Sequence, residues 1–127
     1  MNQLNKWAGG KKWLPEEFGH LLPRPEDIST YREPFVGGAA VALRYLDKMP
    51  CILSDANERL MRMYRGVQSA PEKVIEHLRT FENSLESFQK IRSFFNDGCE
   101  VSDALMAAWF IFLNHTCYNG LFRENRS

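Results

Sequence analysis

One acidic side chain and a pair of adjacent glycines carry the clearest chemical signal in this sequence. Glu33-Pro34-Phe35-Val36-Gly37-Gly38-Ala39 stands where a β-prone run, Ser29 to Glu33, gives way to a run of helix formers, Ala39 to Leu46. Glycines at a strand-to-helix turn let a ligand approach the backbone and the positive end of the helix dipole. Asp55 follows the next apolar run, Cys51-Ile52-Leu53, and lies 22 residues after Glu33. An acid at the end of a second strand is where doubly wound folds bind ribose hydroxyls. Taken alone, the glycine pair is better explained by a tight turn that needs it only for its dihedrals. With Asp55, the unit reads as a site for a dinucleotide or an adenosyl ligand. Gly37-Gly38-Ala39 does not follow the Gly-x-Gly-x-x-Gly spacing, so a nicotinamide-binding module drops behind an adenosyl one.

A second candidate element precedes this unit. Lys6-Trp7-Ala8-Gly9-Gly10-Lys11 is a basic, glycine-centred loop, which by itself is also what a surface loop anchored by one tryptophan looks like. Pro15-Glu16-Glu17 then marks a helix start, with proline in the first turn and acids near the positive dipole end, and that helix is expected to stop near Leu22-Pro23. After Asp55, a helix from Asn57 to Tyr64 is expected to present Leu60, Met61 and Tyr64 on one face and to break at Gly66. Three further helices are expected without an intervening strand. One is capped at Ser69-Ala70-Pro71-Glu72 with Val74, Ile75 and Leu78 inward. The next starts at Ser84-Leu85 with Leu85, Phe88, Ile91, Arg92 and Phe95 at helical spacing, and the last runs from Ser102-Asp103 to about Leu113. Asn114 to Ser127 reads as a hairpin or exposed loop around Asn119-Gly120.

Composition sets the limits. In 127 residues, 44% hydrophobic and 13% aromatic, a disordered or low-complexity chain is excluded. Sixteen basic and sixteen acidic residues cancel, so no global field draws in nucleic acid. The zero is an average: residues 1–24 carry a net +2 and residues 71–100 a net −2. The longest apolar run, near Ala104 to Leu113, falls short of the roughly 18–20 residues of a membrane span. The N-terminus lacks the pattern of a secretory signal, so a cytoplasmic setting, no membrane partner and reduced cysteines are expected. Cys51, Cys99 and Cys117 form no paired framework, and His115 with Cys117 completes no metal-ligand spacing, so no metal is assigned.

Four segments in order, Lys6 to Lys11, Glu33 to Gly38, Ser54-Asp55-Ala56-Asn57 with Leu60 and Tyr64, and Asn114 through Asn119-Gly120-Leu121-Phe122-Arg123-Glu124-Asn125, resemble the Dam-like family of adenine-specific DNA methyltransferases. The resemblance covers nearly all of this chain and about the N-terminal half of the family. It implies an α/β fold: a partial Rossmann-like, S-adenosylmethionine-dependent methyltransferase fold with an inserted α-helical target-recognition subdomain. Residues 1–68 would then be the front of the donor domain, and residues 69–127 the DNA-binding region, interrupted in its hairpin. The implied donor pocket is Trp7, Ala8, Gly9 and Lys11 with Pro34, Phe35 and Gly37, and Asp55 accepting from the ribose hydroxyls. The implied contacts to double-stranded DNA are Tyr118, Asn119 and Leu121 against the base stack and Arg123 on a guanine edge.

This chain departs from the family pattern at two positions. Ala39 stands where many relatives carry a third glycine, and if a positive φ is required there it costs on the order of 1 kcal/mol. His115 stands where relatives often carry arginine. The family's Asp-Pro-Pro-Tyr loop, which activates the adenine amino group, occurs nowhere in the sequence. No catalytic residue is therefore assigned. The chain is expected to be an inactive N-terminal part of a longer enzyme, with the missing C-terminal half as its partner. The alternative is a non-catalytic remnant that binds S-adenosylmethionine or DNA.

Overall fold

The computed structural model describes residues 2–98 and 100–117. Contacts divide the chain into two compact units, Met1–Ala56 and Asn57–Ser127.

The first unit is built on two parallel strands, β1 (Tyr31–Glu33) and β2 (Cys51–Leu53), in the register Tyr31 to Cys51 and Glu33 to Leu53. The ladder is continued by Tyr31 N–H on Pro50 O at 3.1 Å, Ser54 N–H on Glu33 O at 2.9 Å and Val36 N–H on Ser54 O at 3.0 Å. Parallel strands need a crossover rather than a hairpin, and residues 34–50 supply it. The expected helix over Ala39 to Leu46 is reduced to a 3-10 turn, Ala42–Arg44. Helical propensity loses there because Ala39 adopts a φ of +60°, which no helix can include. Tyr45, 1% exposed, is the centre of this unit: its ring stacks on Tyr31 at 4.6 Å and its hydroxyl donates to Pro23 O at 2.8 Å. The expected first helix is shorter than its sequence signal, with α1 covering Trp13–Phe18 and a 3-10 turn, Gly19–Leu21, completing it.

The second unit is helical. Asn57 caps α2 (Glu58–Ser69) by accepting from the Leu60 amide at 3.0 Å; α3 (Pro71–Thr80) starts on its proline. Ser84 caps α4 (Leu85–Asn96) and Ser102 caps α5 (Asp103–Thr116), each accepting at 3.2 Å from the amide three residues on. Helix α5 is apolar nearly all round, from Ala104 and Met106 to Phe112 and Leu113, and α2, α3 and α4 all pack on it. Aromatic pairs fix these contacts: Phe81 with Phe112 at 5.4 Å, Phe94 with Trp109 at 5.9 Å and Phe95 with Phe110 at 6.0 Å.

Several expectations change here. Helix α2 does not break at Gly66 but continues to Ser69, and its buried residues are Leu60, Met63 and Gly66 rather than Leu60, Met61 and Tyr64. Gly66 is a contact residue: a Cβ there would lie 2.3 Å from the Asp103 carbonyl oxygen and 2.9 Å from the Ala107 Cβ. The Arg62 guanidinium reinforces the crossing, bonding Asp103 Oδ1 at 2.7 Å and the Val101 carbonyl. Ile75, expected inward, is exposed on the outer side of α3, and Leu85, read at the helical spacing of its neighbours, is exposed in the first turn of α4. Asn114 to Thr116, expected in a hairpin, form the last turn of α5. Among the described residues no helix is long and apolar enough to cross a membrane.

Gly66→Ala should lower the unfolding free energy by about 1–3 kcal/mol in urea titrations, since backbone must move to admit the methyl group. An unchanged midpoint and slope would contradict the close crossing.

Candidate functional site

The carboxyl ends of β1 and β2 emerge side by side because the strands are parallel and in register. The chain leaves β1 through Pro34-Phe35 into Val36-Gly37-Gly38, and leaves β2 through Ser54 into Asp55. One hydrogen bond closes these two exits: the Gly37 amide donates to Asp55 Oδ2 at 3.0 Å. Gly37 has a φ of +47°, and a Cβ there would lie 2.8 Å from Trp7 Cδ1, so glycine is required both for its backbone conformation and for the indole packed on it. Gln3 reaches the same loop, its amide donating to Gly38 O at 2.7 Å. The N-terminal segment is therefore strapped across the glycine loop.

Between strap and loop lies an open cleft of about 160 Å³, smaller than the roughly 300–1,000 Å³ of complete small-molecule sites. It brings together Trp7, Ala8, Gly9, Lys11, Phe35, Gly37 and Asp55, seven of the eight residues expected around a donor; Pro34 is exposed and is not part of the lining. Phe35 is 76% exposed, so its ring face is available for stacking. Tyr118, Asn119, Leu121 and Arg123 lie outside the described residues. Ala39 does hold a positive φ, and the strain on the order of 1 kcal/mol foreseen for an alanine there applies.

Glu33 also lines the cleft, and no role was read for it from sequence although it ends the first strand. Tyr31 Oη donates to Glu33 Oε2 at 2.9 Å, and the Ala42 amide hydrogen-bonds the same carboxylate. Burial pushes the Glu33 carboxyl above the usual glutamate range; Tyr31, the Lys11 charge and the Ala42 amide offset this only in part. Tyr31 is raised in turn, first by burial and then by its bond to Glu33. The charged groups of the lining, Lys11 against Glu33 and Asp55, sum to −1. Cys51 and Cys117 are half-buried thiols, and burial raises Cys51.

A parallel strand pair with a glycine loop and an acid at its strand ends makes this first unit a small α/β element. The comparison with known proteins makes the class particular. The family description "D12 class N6 adenine-specific DNA methyltransferase" matches residues 7–127, and the chain belongs to this family. It is 39% identical to a type II methyltransferase, M.MjaIII, of Methanocaldococcus jannaschii, over 95% of this chain and 47% of that protein. It is 37% identical to a DNA adenine methylase of Serratia marcescens, over 94% of this chain and 44% of that protein. With the retron Ec67 DNA adenine methylase of Escherichia coli it shares 32% identity, over 100% of this chain and 44% of that protein. The chain thus spans about half the length of the curated relatives it matches.

The buried charge of Glu33 has a stability signature. Its raised folded value means the folded state binds the proton more tightly than the unfolded state, so the ionised group costs stability above that value and nothing below the ordinary glutamate value. Glu33→Gln should therefore raise the denaturation midpoint at pH 7, and the gain should shrink to nothing as pH falls through the ordinary glutamate range. A gain that is constant with pH, or a loss at pH 7, would contradict the assignment.

Proposed function

We propose that this chain carries the methyl-donor site and part of the target-recognition region of a DNA adenine methyltransferase, whose whole form transfers a methyl group from S-adenosylmethionine to adenine N6 in double-stranded DNA. The observation that carries this reading is the cleft itself, in which Asp55, the glycine loop and the Trp7 to Lys11 strap meet in a chain of this family.

The residues fit such a donor by their chemistry. The Asp55 carboxylate, held from one side by the Gly37 amide, accepts from the ribose hydroxyls. Phe35 covers the adenine face, Lys11 offers a cation to the donor carboxylate, and Trp7, Ala8 and Gly9 close the strap over it. Pro34 acts from outside the lining by fixing the chain where it leaves β1. When bound, S-adenosylmethionine supplies an electrophilic methyl group on its sulfonium. The chain's own contribution is to hold and orient that donor, which is a large share of any two-substrate reaction.

The two strands then form the front of a Rossmann-like sheet, with residues 1–68 serving the donor and residues 69–127 the DNA. Tyr118, Asn119 and Leu121 press on the base stack, and Arg123 offers its fork to a guanine edge. Activation of the adenine amino group falls to an Asp-Pro-Pro-Tyr loop outside this sequence, in the C-terminal half of the same enzyme. The absence of that loop favours a second reading for the chain taken alone: a non-catalytic binder of S-adenosylmethionine or DNA.

Isothermal calorimetry separates binding from inertness. The chain should bind S-adenosylmethionine, and Asp55→Ala should weaken binding at least about tenfold, as loss of hydrogen bonds to a charged acceptor does. No heat with the unmodified chain, or equal affinity in both, would remove the donor site.

A further inference from the structure

We propose that residues 2–10 form a gate over the glycine loop, held closed by Gln3 and Trp7 and kept ready to open by the buried side chain of Asn5. The gate itself needs no ligand; that it admits S-adenosylmethionine rests on the donor-site reading given above.

Alternate residues of the strap face the loop. Gln3 donates to Gly38 O at 2.7 Å, and the Trp7 indole packs on Gly37. A Cβ on Gly38 would lie 3.3 Å from Trp7 Cβ and 3.6 Å from the Asn5 carbonyl oxygen. Leu4, Lys6 and Ala8, between these residues, are exposed. Gln3 therefore stabilises the closed strap through a hydrogen bond and Trp7 through contact area. Asn5 opposes it. Its side chain is buried, the residue being 2% exposed, and neither Oδ1 nor Nδ2 is hydrogen-bonded to any described residue. A buried amide left unpaired costs more than an ordinary hydrogen bond returns, so two unpaired atoms bias the strap toward a state in which water reaches them. The polarity is inverted at this point, with asparagine inside and the neighbouring Leu4 outside.

The strap also has a joint and a reason to move. Gly9 holds a φ of +72°, and a Cβ there would meet no other part of the chain within 4 Å. It lies in the turn closed by the Gly10 amide on Trp7 O at 2.9 Å, ahead of α1. A left-handed glycine in open space swings without steric cost. The cleft under the strap, about 160 Å³, is smaller than the roughly 300–1,000 Å³ of complete small-molecule sites, so a ligand of nucleoside size enters by displacing a wall. The strap is the wall that carries its own opposition to closure.

Hydrogen exchange tests the gate without ligand. In the unmodified chain the slowest-exchanging amide of residues 3–10 should exchange at least about tenfold faster than the Val36 and Ser54 amides of the strand ladder, because it opens locally. Asn5→Leu keeps the branched shape and removes both polar atoms, and it should slow strap exchange about tenfold or more; Gln3→Ala should speed it. Strap and ladder exchanging at one rate, or strap exchange unchanged or faster in Asn5→Leu, would overturn the gate. If Asn5→Leu fails to fold, Asn5→Ala takes its place, with slower strap exchange supporting the gate and equal or faster exchange overturning it. Stopped-flow mixing with S-adenosylhomocysteine reads the consequence for the site. Asn5→Leu should slow association and release by similar factors and leave Kd within about twofold. An unchanged association rate would overturn the gate and leave the donor site standing. Failure of the unmodified chain to bind S-adenosylhomocysteine would overturn the donor-site reading, and the gate would then be decided by exchange alone.

Discussion

The bond from the Gly37 amide to the Asp55 carboxylate is the interaction on which the rest of the site depends. It joins the exits of two strands whose parallel pairing allows no direct turn between them. Because it exists, the glycine loop lies beside the acid, the Trp7 indole has a Cβ-free surface to rest on, and a cleft opens between strap and loop. The bond also demands the left-handed backbone at Gly37 and is followed by another at Ala39. Glycine takes that conformation without cost, whereas Ala39 carries strain on the order of 1 kcal/mol.

Electrostatics follow the same logic. A balanced overall charge conceals a cleft that gathers two carboxylates and one lysine. Glu33 is retained there in a setting that penalises its charge, with two tyrosines committed to holding it.

Much of this site was legible in the sequence because its parts are short-range signals. A strand ending in Glu33, a Gly-Gly turn and an acid after Cys51-Ile52-Leu53 each announce themselves within a few residues, and the caps Asn57, Ser84 and Ser102 start the helices they predict. The misses have long-range causes. Ala39 to Leu46 has helix propensity, but the Ala39 conformation is set by the loop it closes, and propensity yields to that. Gly66 looks like a helix stop until the Asp103 carbonyl and Ala107 are placed against it. Ile75 and Leu85 fit the apolar period yet stay exposed. Glu33 was visible as part of a motif but not as a wall of the cleft. Only the Tyr31 hydroxyl and the neighbourhood of Lys11 give it that position.

The central claim is that the strap and the glycine loop enclose one ligand site around the Gly37 to Asp55 bond. Amide chemical shifts of the ¹⁵N-labelled chain, followed during titration with S-adenosylhomocysteine, test it most directly. The account predicts saturable shifts at the Trp7 indole N–H, at the amides of Ala8 to Lys11 and at those of Gly37, Gly38 and Asp55, with α2 to α5 unmoved. Shifts confined to the helices, or none at the Trp7 indole and Gly37 at saturating ligand, would contradict it.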